Sequence, residues 1–169
     1  SDLTPATLMR LWDDSDLPVH QLMIDKVHEH GALAGIQLVH NGQSVSNYLT
    51  RMPTMAPSAA PNEASNSTQA RAMDKEDIRT LRRWFREAAL RSRRAGYDIV
   101  YVYAAHGIMT LLYQFLLTRY NQRTDEYGGS LENRVRLVRE VLEDTKDAIG
   151  HDTAVAFRFA VDELMGENG

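Results

Sequence analysis

The 169-residue sequence contains no cysteine. This absence excludes disulfides, thiolate-bound zinc, cysteine-ligated iron–sulfur clusters and cysteine nucleophiles within the chain. The sequence also has no apolar run approaching the roughly 20 residues that a membrane-spanning helix requires. Its first residues contain neither the basic nor the apolar region of a signal peptide. We therefore expect a cytoplasmic protein with no membrane partner.

An excess of positive charge is missing as well. The formal net charge is −4, so the chain has no general attraction for nucleic acid. Its arginines are concentrated in one predicted helix, which we interpret as a solvated outer face with acidic neighbours: Arg79, Arg82, Arg83, Arg86, Arg91, Arg93 and Arg94. His28 and His30 are two positions apart and diverge on a helix, which makes them a poor metal-binding pair. We expect no metal site and no nucleic-acid partner.

Hydrophobic periodicity predicts helices that alternate with short strands. The predicted helices cover residues 17–30, 75–95 and 130–149, and the predicted strands cover residues 33–39, 98–103 and 154–159. Asp74 is expected to cap the second helix and Gly96 to end it. One face of this helix is predicted to carry its apolar residues: Ile78, Leu81, Trp84, Phe85, Ala88 and Ala89. Residues 41–73 are rich in Ser, Asn, Pro and Ala and are predicted to form a long irregular loop.

Apolar strands that alternate with helices are typical of parallel β/α units in an α/β protein. The pattern alone does not choose between an open doubly wound sheet and a closed barrel. No glycine-rich dinucleotide-binding fingerprint follows a predicted strand, which weakens the doubly wound alternative. Three strands cannot close a barrel, and a three-stranded parallel sheet leaves two bare edges. We therefore expect the sequence to be incomplete as a domain.

Polar side chains occur at the same end of each predicted strand. Gln37 lies near the end of the first strand, and Arg158 lies near the end of the third. Tyr103 ends the second strand, and His106 follows three residues later. The carboxyl ends of parallel strands meet at one edge, where α/β proteins bind their ligands. An amide, a phenol with an imidazole, and a guanidinium together suit an anionic or electron-accepting heterocycle.

Each of these residues also has a structural interpretation. A strand glutamine often satisfies a local hydrogen bond, and Tyr103 with His106 can form a simple pair at a strand end. Arg158 is the hardest to explain in this way, because burying a guanidinium without a partner is costly. The combination is therefore more informative than any one of its members.

Residues 120–134, with the sequence YNQRTDEYGGSLENR, resemble the loop-to-helix segment of the old yellow enzyme family of FMN oxidoreductases. The similarity extends to residues 114–116 and 30–38, and downstream to Arg158. This resemblance implies that residues 1–169 form a single partial FMN-binding domain, part of a (β/α)8 TIM barrel. That part comprises about three β/α units, roughly strands 3 to 5.

The same resemblance implies roles for the polar residues. FMN would lie at the carboxyl end of the barrel, with Gln37 bonding the flavin pyrimidine edge and Arg158 near flavin N1 and O2. Residues 98–106, DIVYVYAAH, most resemble the trimethylamine, dimethylamine and histamine dehydrogenase branch. In that branch, Tyr103 and His106 correspond to members of a catalytic Tyr–His–Asp triad, whose aspartate would lie beyond the present sequence. The branch also implies an iron–sulfur cluster in the parent enzyme, outside this chain.

The sequence departs from related patterns near the expected pocket. Ene reductases of the family carry a proton-donating tyrosine two residues beyond the His106 position, where this sequence has Ile108. That difference favours amine oxidation over alkene reduction. Residues 107–113 include two extra residues relative to the amine-oxidising branch, and Leu117 and Thr118 replace a common Asn-Pro pair. Both changes bear on the identity of the substrate.

The sequence therefore predicts an FMN-dependent, amine dehydrogenase-like oxidoreductase. It would oxidise the C–N bond of a small-molecule amine and pass two electrons to FMN, with an electron acceptor that the sequence does not identify. We expect a homo-oligomer. The alternatives are an NAD(P)H-dependent ene or dienoyl reductase on the same barrel, and an inactive structural fragment.

Overall fold

The computed structural model describes residues 9–47, 49–61, 69–105, 110–164 and 166. Its helices are α1 (Leu17–His28), α2 (Lys75–Ala95), α3 (Leu111–Leu116) and α4 (Leu131–Ile149). Its strands are β1 (Gly35–Leu38), β2 (Met55–Ala56), β3 (Ala60–Pro61), β4 (Gln69–Ala72), β5 (Ile99–Ala104) and β6 (Ala154–Phe159). Two 3-10 turns cover Asp14–Asp16 and Gly42–Ser44. None of the described helices is long and apolar enough to cross a membrane.

The three predicted strands form a parallel sheet in the order β1–β5–β6, which confirms the parallel β/α arrangement. Successive side chains of a strand point to opposite faces. Val100, Val102 and Ala104 are fully buried on the face that α2 and α4 cover. The opposite face carries Gln37 and Arg158, and both are exposed. Among the described residues, helices therefore cover only one side of the sheet. We call the other side the open face.

Helix α2 begins and ends where the sequence predicts. The Asp74 carboxylate accepts the backbone N–H of Asp77 at 2.8 Å, and the Asp77 carboxylate accepts that of Asp74 at 2.9 Å. This reciprocal capping box satisfies two of the free N–H groups of the first turn. Gly96 follows the last turn with a φ of 98°.

Most of the predicted apolar face of α2 packs against the sheet, but the prediction for Trp84 is wrong. Ile78, Leu81 and Phe85 are buried, whereas 43% of Trp84 is exposed. Trp84 precedes Phe85 by one residue, which is about 100° around the helix, so it lies at the edge of the apolar stripe. Its ring stacks against the His40 ring with centroids 6.1 Å apart.

Asp16 occupies the N-cap position of α1, but its side chain makes no capping hydrogen bond to that helix. Its carboxylate instead accepts the backbone N–H of Trp12 at 2.7 Å, as part of the preceding 3-10 turn. Pro18 in the first turn has no N–H to satisfy, which reduces the need for a side-chain cap. Helix α1 therefore depends on tertiary contacts, chiefly through the buried residues Leu17 and Ile24.

The basic face of α2 has the acidic neighbours that the sequence predicts. Arg82 donates two hydrogen bonds to Asp144 of α4, at 2.6 and 3.0 Å, and lies 3.2 Å from Glu140. The bonds to Asp144 raise the pKa of the Arg82 guanidinium, which therefore stays positively charged. Arg94 pairs with Asp14 at 2.9 Å. These contacts join α2 to its neighbours along the solvated side of the structure.

Residues 41–73, which we expected to form a long irregular loop, contain more structure than their composition suggests. Strands β2, β4 and β3 form a small sheet in that order, and the turn at residues 42–44 precedes them. The backbone N–H of Arg71 donates to the Thr54 carbonyl at 2.9 Å and continues the β2–β4 pairing. Strands of two to four residues are too short to produce a visible alternation in sequence.

Arg123 connects this small sheet to the rest of the structure. Its guanidinium donates to the main-chain carbonyls of Pro57 and Met73, and its Nε donates to Asp125 at 3.0 Å. Only 10% of the Arg123 side chain is exposed. The motif at residues 120–134 therefore acts as a structural junction.

Two more motif residues position α3. The Asn121 amide donates to the carbonyls of Phe115 and Tyr127, at 2.7 Å each. The Arg134 Nε donates to the Leu116 carbonyl, also at 2.7 Å. The bonds to Phe115 and Leu116 satisfy carbonyls at the carboxyl end of a short helix, where no intrahelical donor is available. The motif thus fixes the position of α3 as well as that of the small sheet.

We predict that Gly128→Ala destabilises the chain more than Gly129→Ala does. A Cβ at residue 128 would lie 2.3 Å from the Arg123 carbonyl oxygen, so the backbone of the junction must shift. At Gly129 no atom lies within 4 Å of the added Cβ, and only its φ of 81° opposes the substitution. We expect the free energy of unfolding, measured in urea, to fall by about 3 kcal/mol for Gly128→Ala and by about 1 kcal/mol for Gly129→Ala. Equal losses would show that the close approach at residue 128 relaxes freely.

We also predict that Asp125→Asn makes the free energy of unfolding depend less on pH in the acidic range. Hydrogen bonds from Arg123 hold the pKa of the Asp125 carboxyl below its usual value. The carboxylate therefore stabilises the fold above its unfolded pKa, and this stabilisation disappears as the pH falls through the folded pKa. The free energy of unfolding of the variant should be about 2 kcal/mol lower at neutral pH. It should also decrease less steeply toward about pH 3.

The matched control for this experiment is Asp147→Asn. Asp147 is exposed on α4, so its replacement should change the free energy of unfolding by less than about 0.5 kcal/mol. Urea unfolding of both variants across the pH range measures the difference. Parallel pH profiles for the Asp125 variant and the unmodified chain would exclude the Arg123–Asp125 contact as the cause.

Candidate active site

The open face of the sheet brings three of the predicted site residues together. The Cα of Tyr103 pairs with that of Arg158 in the β5–β6 register, and the Cα of Gln37 pairs with that of Tyr101 in the β1–β5 register. Paired residues of parallel strands point to the same face, and so do residues two apart. Gln37, Tyr103 and Arg158 therefore share the open face, near the carboxyl ends of three adjacent strands.

Tyr103 and Arg158 are in contact within this group. The guanidinium carbon of Arg158 lies 5.5 Å from the centroid of the Tyr103 ring, which is within the range of a cation–π interaction. Tyr103 is only 8% exposed although it does not belong to the apolar core on the helix side. The arrangement places a sheltered phenol directly beside an accessible positive charge.

The strand residues around Gln37 on the open face include no acidic side chain. A Cβ at Gly35 would lie 3.2 Å from Tyr101 Cε2, so the Tyr101 ring leans across the β1 backbone at this glycine. The strand residues that share this face are Gly35, Gln37, Ile99, Tyr101, Tyr103, Ala154, Ala156 and Arg158. Arg158 is the one charged residue of that set. A planar, electron-accepting heterocycle with donor and acceptor edges fits this combination of amide, guanidinium and small residues.

His106 lies outside the described residues, so its relation to Tyr103 stays a prediction. Within the described part of the chain, no group of three histidine, aspartate or glutamate side chains could hold a metal ion. His28, one of the two histidines that the sequence excludes as metal ligands, instead pairs with Asp98 at 2.8 Å.

Residues near the carboxyl end of β1 form a polar turn that sequence analysis did not recognise. The Gln114 amide nitrogen of α3 donates to the Asn41 carbonyl at 3.2 Å and to Ser44 Oγ at 3.1 Å. His40 Nδ1 accepts the backbone N–H of Gly42 at 3.1 Å, and burial lowers the pKa of this imidazole well below its usual value. His40 is therefore neutral, with its proton on Nε2, and serves to hold the turn. Contacts of this kind are tertiary and leave no periodic signal.

A second phenol lies on the carboxyl side of the sheet. Tyr113 of α3 is buried, and burial raises the pKa of its hydroxyl. The negative charges of Glu163 and Asp162, which follow β6, raise it further. This phenol therefore stays protonated at neutral pH.

Comparison with known proteins places these observations in a family. The family model described as NADH:flavin oxidoreductase / NADH oxidase matches residues 2–169. The chain is 36% identical to dimethylamine dehydrogenase of Hyphomicrobium sp. (strain x), over 99% of this chain and 23% of that protein. The resemblance that the sequence motifs indicate is thus confirmed.

Solved structures agree with this assignment. Histamine dehydrogenase from Rhizobium sp. 4-9 superposes with a TM-score of 0.89 at 51% identity, over 95% of this chain and 23% of that one. Morphinone reductase superposes with a TM-score of 0.82 at 32% identity, over 88% of this chain and 45% of that one. The chain therefore spans less than half the length of these relatives. It belongs to the NADH:flavin oxidoreductase / NADH oxidase family, whose members bind FMN.

Proposed function

We propose that this chain supplies part of the cofactor and substrate surface of an FMN-dependent enzyme that oxidises the C–N bond of a small amine. The observation that carries the proposal is the contact of Arg158 with the sheltered Tyr103, on the same open face as Gln37. The higher identity to histamine dehydrogenase, 51% against 32% for morphinone reductase, favours an amine substrate over an alkene. Electrons from the amine would pass to FMN and then to an acceptor.

We further propose that the β1–β5–β6 sheet is a section of a (β/α)8 barrel, roughly its strands 3 to 5, with the open face turned toward the barrel interior. The polar and small residues of that face support this orientation, since ligand-binding residues of such barrels gather at the carboxyl ends of strands. Helix α1 also exposes Val19 and Leu22, at 63% and 65%, which suits a helix with a further neighbour in the outer ring.

Gln37 and Arg158 are the residues that would hold FMN. The cofactor, when bound, supplies a two-electron acceptor. The Gln37 side chain offers a carbonyl oxygen and an amide N–H₂ to a pyrimidine edge. The exposed Arg158 guanidinium would offset negative charge that develops near flavin N1 and O2.

Tyr103 is the residue that would contact the amine. Its burial next to the open face creates a site of low polarity, which favours the uncharged form of an amine. Only that form has the nitrogen lone pair that the oxidation requires. We propose that the Tyr103 hydroxyl orients the amine nitrogen and exchanges a proton with His106, as a coupled pair.

The complete enzyme should distinguish amines from alkenes in a substrate screen. Small primary, secondary and tertiary amines are expected to bleach the oxidised flavin absorbance under anaerobic conditions. Activated alkenes should fail to reoxidise the flavin after its reduction. Anaerobic absorbance titration measures both reactions. Efficient alkene-driven reoxidation without amine-driven bleaching would reject amine oxidation in favour of the ene-reductase alternative.

Tyr103→Phe in the complete enzyme should slow reduction of the flavin by the amine at neutral pH by roughly a hundredfold, the lower range for loss of an acid–base group. Stopped-flow absorbance gives this rate directly. Tyr101→Phe is the matched control, because it removes a hydroxyl from the same strand and the same face. An unchanged rate for the Tyr103 variant, with FMN content intact, would remove Tyr103 from the chemistry.

A further inference from the structure

The backbone pairing between β1 and β5 ends just before the candidate site. The last paired residues of these two strands are Leu38 and Val102, so the ladder no longer joins them at Tyr103. On its other side, Tyr103 pairs with Arg158 of β6. At the level of Tyr103, contacts other than this ladder must therefore hold the chain after β1 beside β5.

Helix α3 lies where these contacts are needed. It packs against both β5 and the turn at residues 42–44. The backbone N–H of Leu111 donates to the His40 carbonyl at 2.7 Å, which joins the first turn of α3 to the chain that leaves β1. A helix of six residues is not stable by itself, and the Thr110 side chain makes no capping hydrogen bond to it. The position of α3 therefore depends on bonds to its neighbours.

Gln114 supplies three of these bonds from one fully buried side chain. Its amide nitrogen donates to the Asn41 carbonyl and to Ser44 Oγ, at 3.2 and 3.1 Å, and its amide oxygen accepts the backbone N–H of Gln43 at 3.4 Å. A Cβ at Gly42 would lie 2.3 Å from the same amide oxygen. The turn and the helix thus meet at a position where only glycine leaves room for the Gln114 amide.

We propose that Gln114 is a positioning residue for the reaction at the open face. By holding α3 against the chain after β1, it sets the separation of the strand that carries Gln37 from the strand that carries Tyr103. The inference rests on the proposed function, in which Gln37 holds the flavin edge and Tyr103 contacts the amine. A displacement of about 1 Å between reacting groups can slow a reaction roughly a hundredfold, so Gln114 affects the rate without touching either molecule.

Gln114→Met in the complete enzyme tests this role, because methionine has a similar volume but makes none of the three bonds. We expect the limiting rate constant of flavin reduction at saturating amine, expressed per bound FMN, to fall roughly tenfold. Stopped-flow absorbance measures it. A purely structural residue would change the amount of folded enzyme but not the rate constant at each bound flavin. A rate constant equal to that of the unmodified enzyme would therefore overturn the proposal.

Gln43→Met is the matched control. Gln43 is 1% exposed and lies in the same turn, but its enclosed side-chain amide has no hydrogen-bond partner among the described residues. The substitution therefore removes no side-chain bond, and the backbone N–H that donates to Gln114 is kept. We expect its rate constant per bound FMN to stay within about twofold of the unmodified value. A tenfold loss in this variant too would overturn the specific role of Gln114.

Hydrogen exchange at Leu111 gives a measurement that does not depend on catalysis. The Leu111 N–H donates to the His40 carbonyl, which neither substitution removes. If Gln114 holds α3 in place, Gln114→Met should accelerate this exchange roughly tenfold, whereas Gln43→Met should leave it unchanged. Mass spectrometry of peptides that span α3 measures the exchange in the complete enzyme. Unchanged exchange in Gln114→Met would contradict the proposal even if that enzyme were slower.

Failure of the proposed function gives a different result from failure of this inference. If no amine reduces the flavin of the unmodified enzyme, amine oxidation is rejected, and the three proteins are compared with NADH as the reductant. Slower reduction per bound FMN in Gln114→Met alone would then support the positioning role, and equal rates would overturn it. If Gln114→Met does not fold, Gln114→Asn takes its place, because its shorter side chain cannot reach all three partners, and the same outcomes decide.

Discussion

The Arg123 guanidinium lies between the small β2–β4–β3 sheet and the loop before α4, with a tenth of its side chain exposed. A charge in such a position needs a counter-charge and acceptors for its N–H groups, since either deficit would destabilise the fold. Asp125 provides the counter-charge, and the carbonyls of Pro57 and Met73 provide acceptors. Because these partners come from three separate segments, one side chain fixes the path of the chain on both sides of α2.

The main elements of the fold follow from local patterns in the sequence. Strand β6 has the bounds that its apolar run predicts, and α2 begins at a capping box that Asp74 and Asp77 make recognisable. The elements that sequence analysis misses are short: α3 has six residues, and two strands of the small sheet have two each. Such segments depend on tertiary bonds, such as those that Asn121 makes around α3, and these bonds have no counterpart in periodicity.

The candidate site was predictable in part for a geometric reason. Alternation along parallel strands places Gln37, Tyr103 and Arg158 on one face once the strands are recognised. The register that sets Arg158 opposite Tyr103 is a property of the assembled sheet and could not be read from spacing. The motif at residues 120–134 identified the family, yet its polar side chains mostly bond to nearby backbone.

The bonds that Arg123 makes to Pro57 and Met73 end on main-chain carbonyls, which every amino acid possesses. Replacing the side chains between these two positions therefore leaves the anchoring acceptors in place. Selection can vary the composition of this segment without having to re-establish where it is attached. In this chain, single substitutions between Pro57 and Met73 can alter the surface of the segment, while its attachment to Arg123 stays the same.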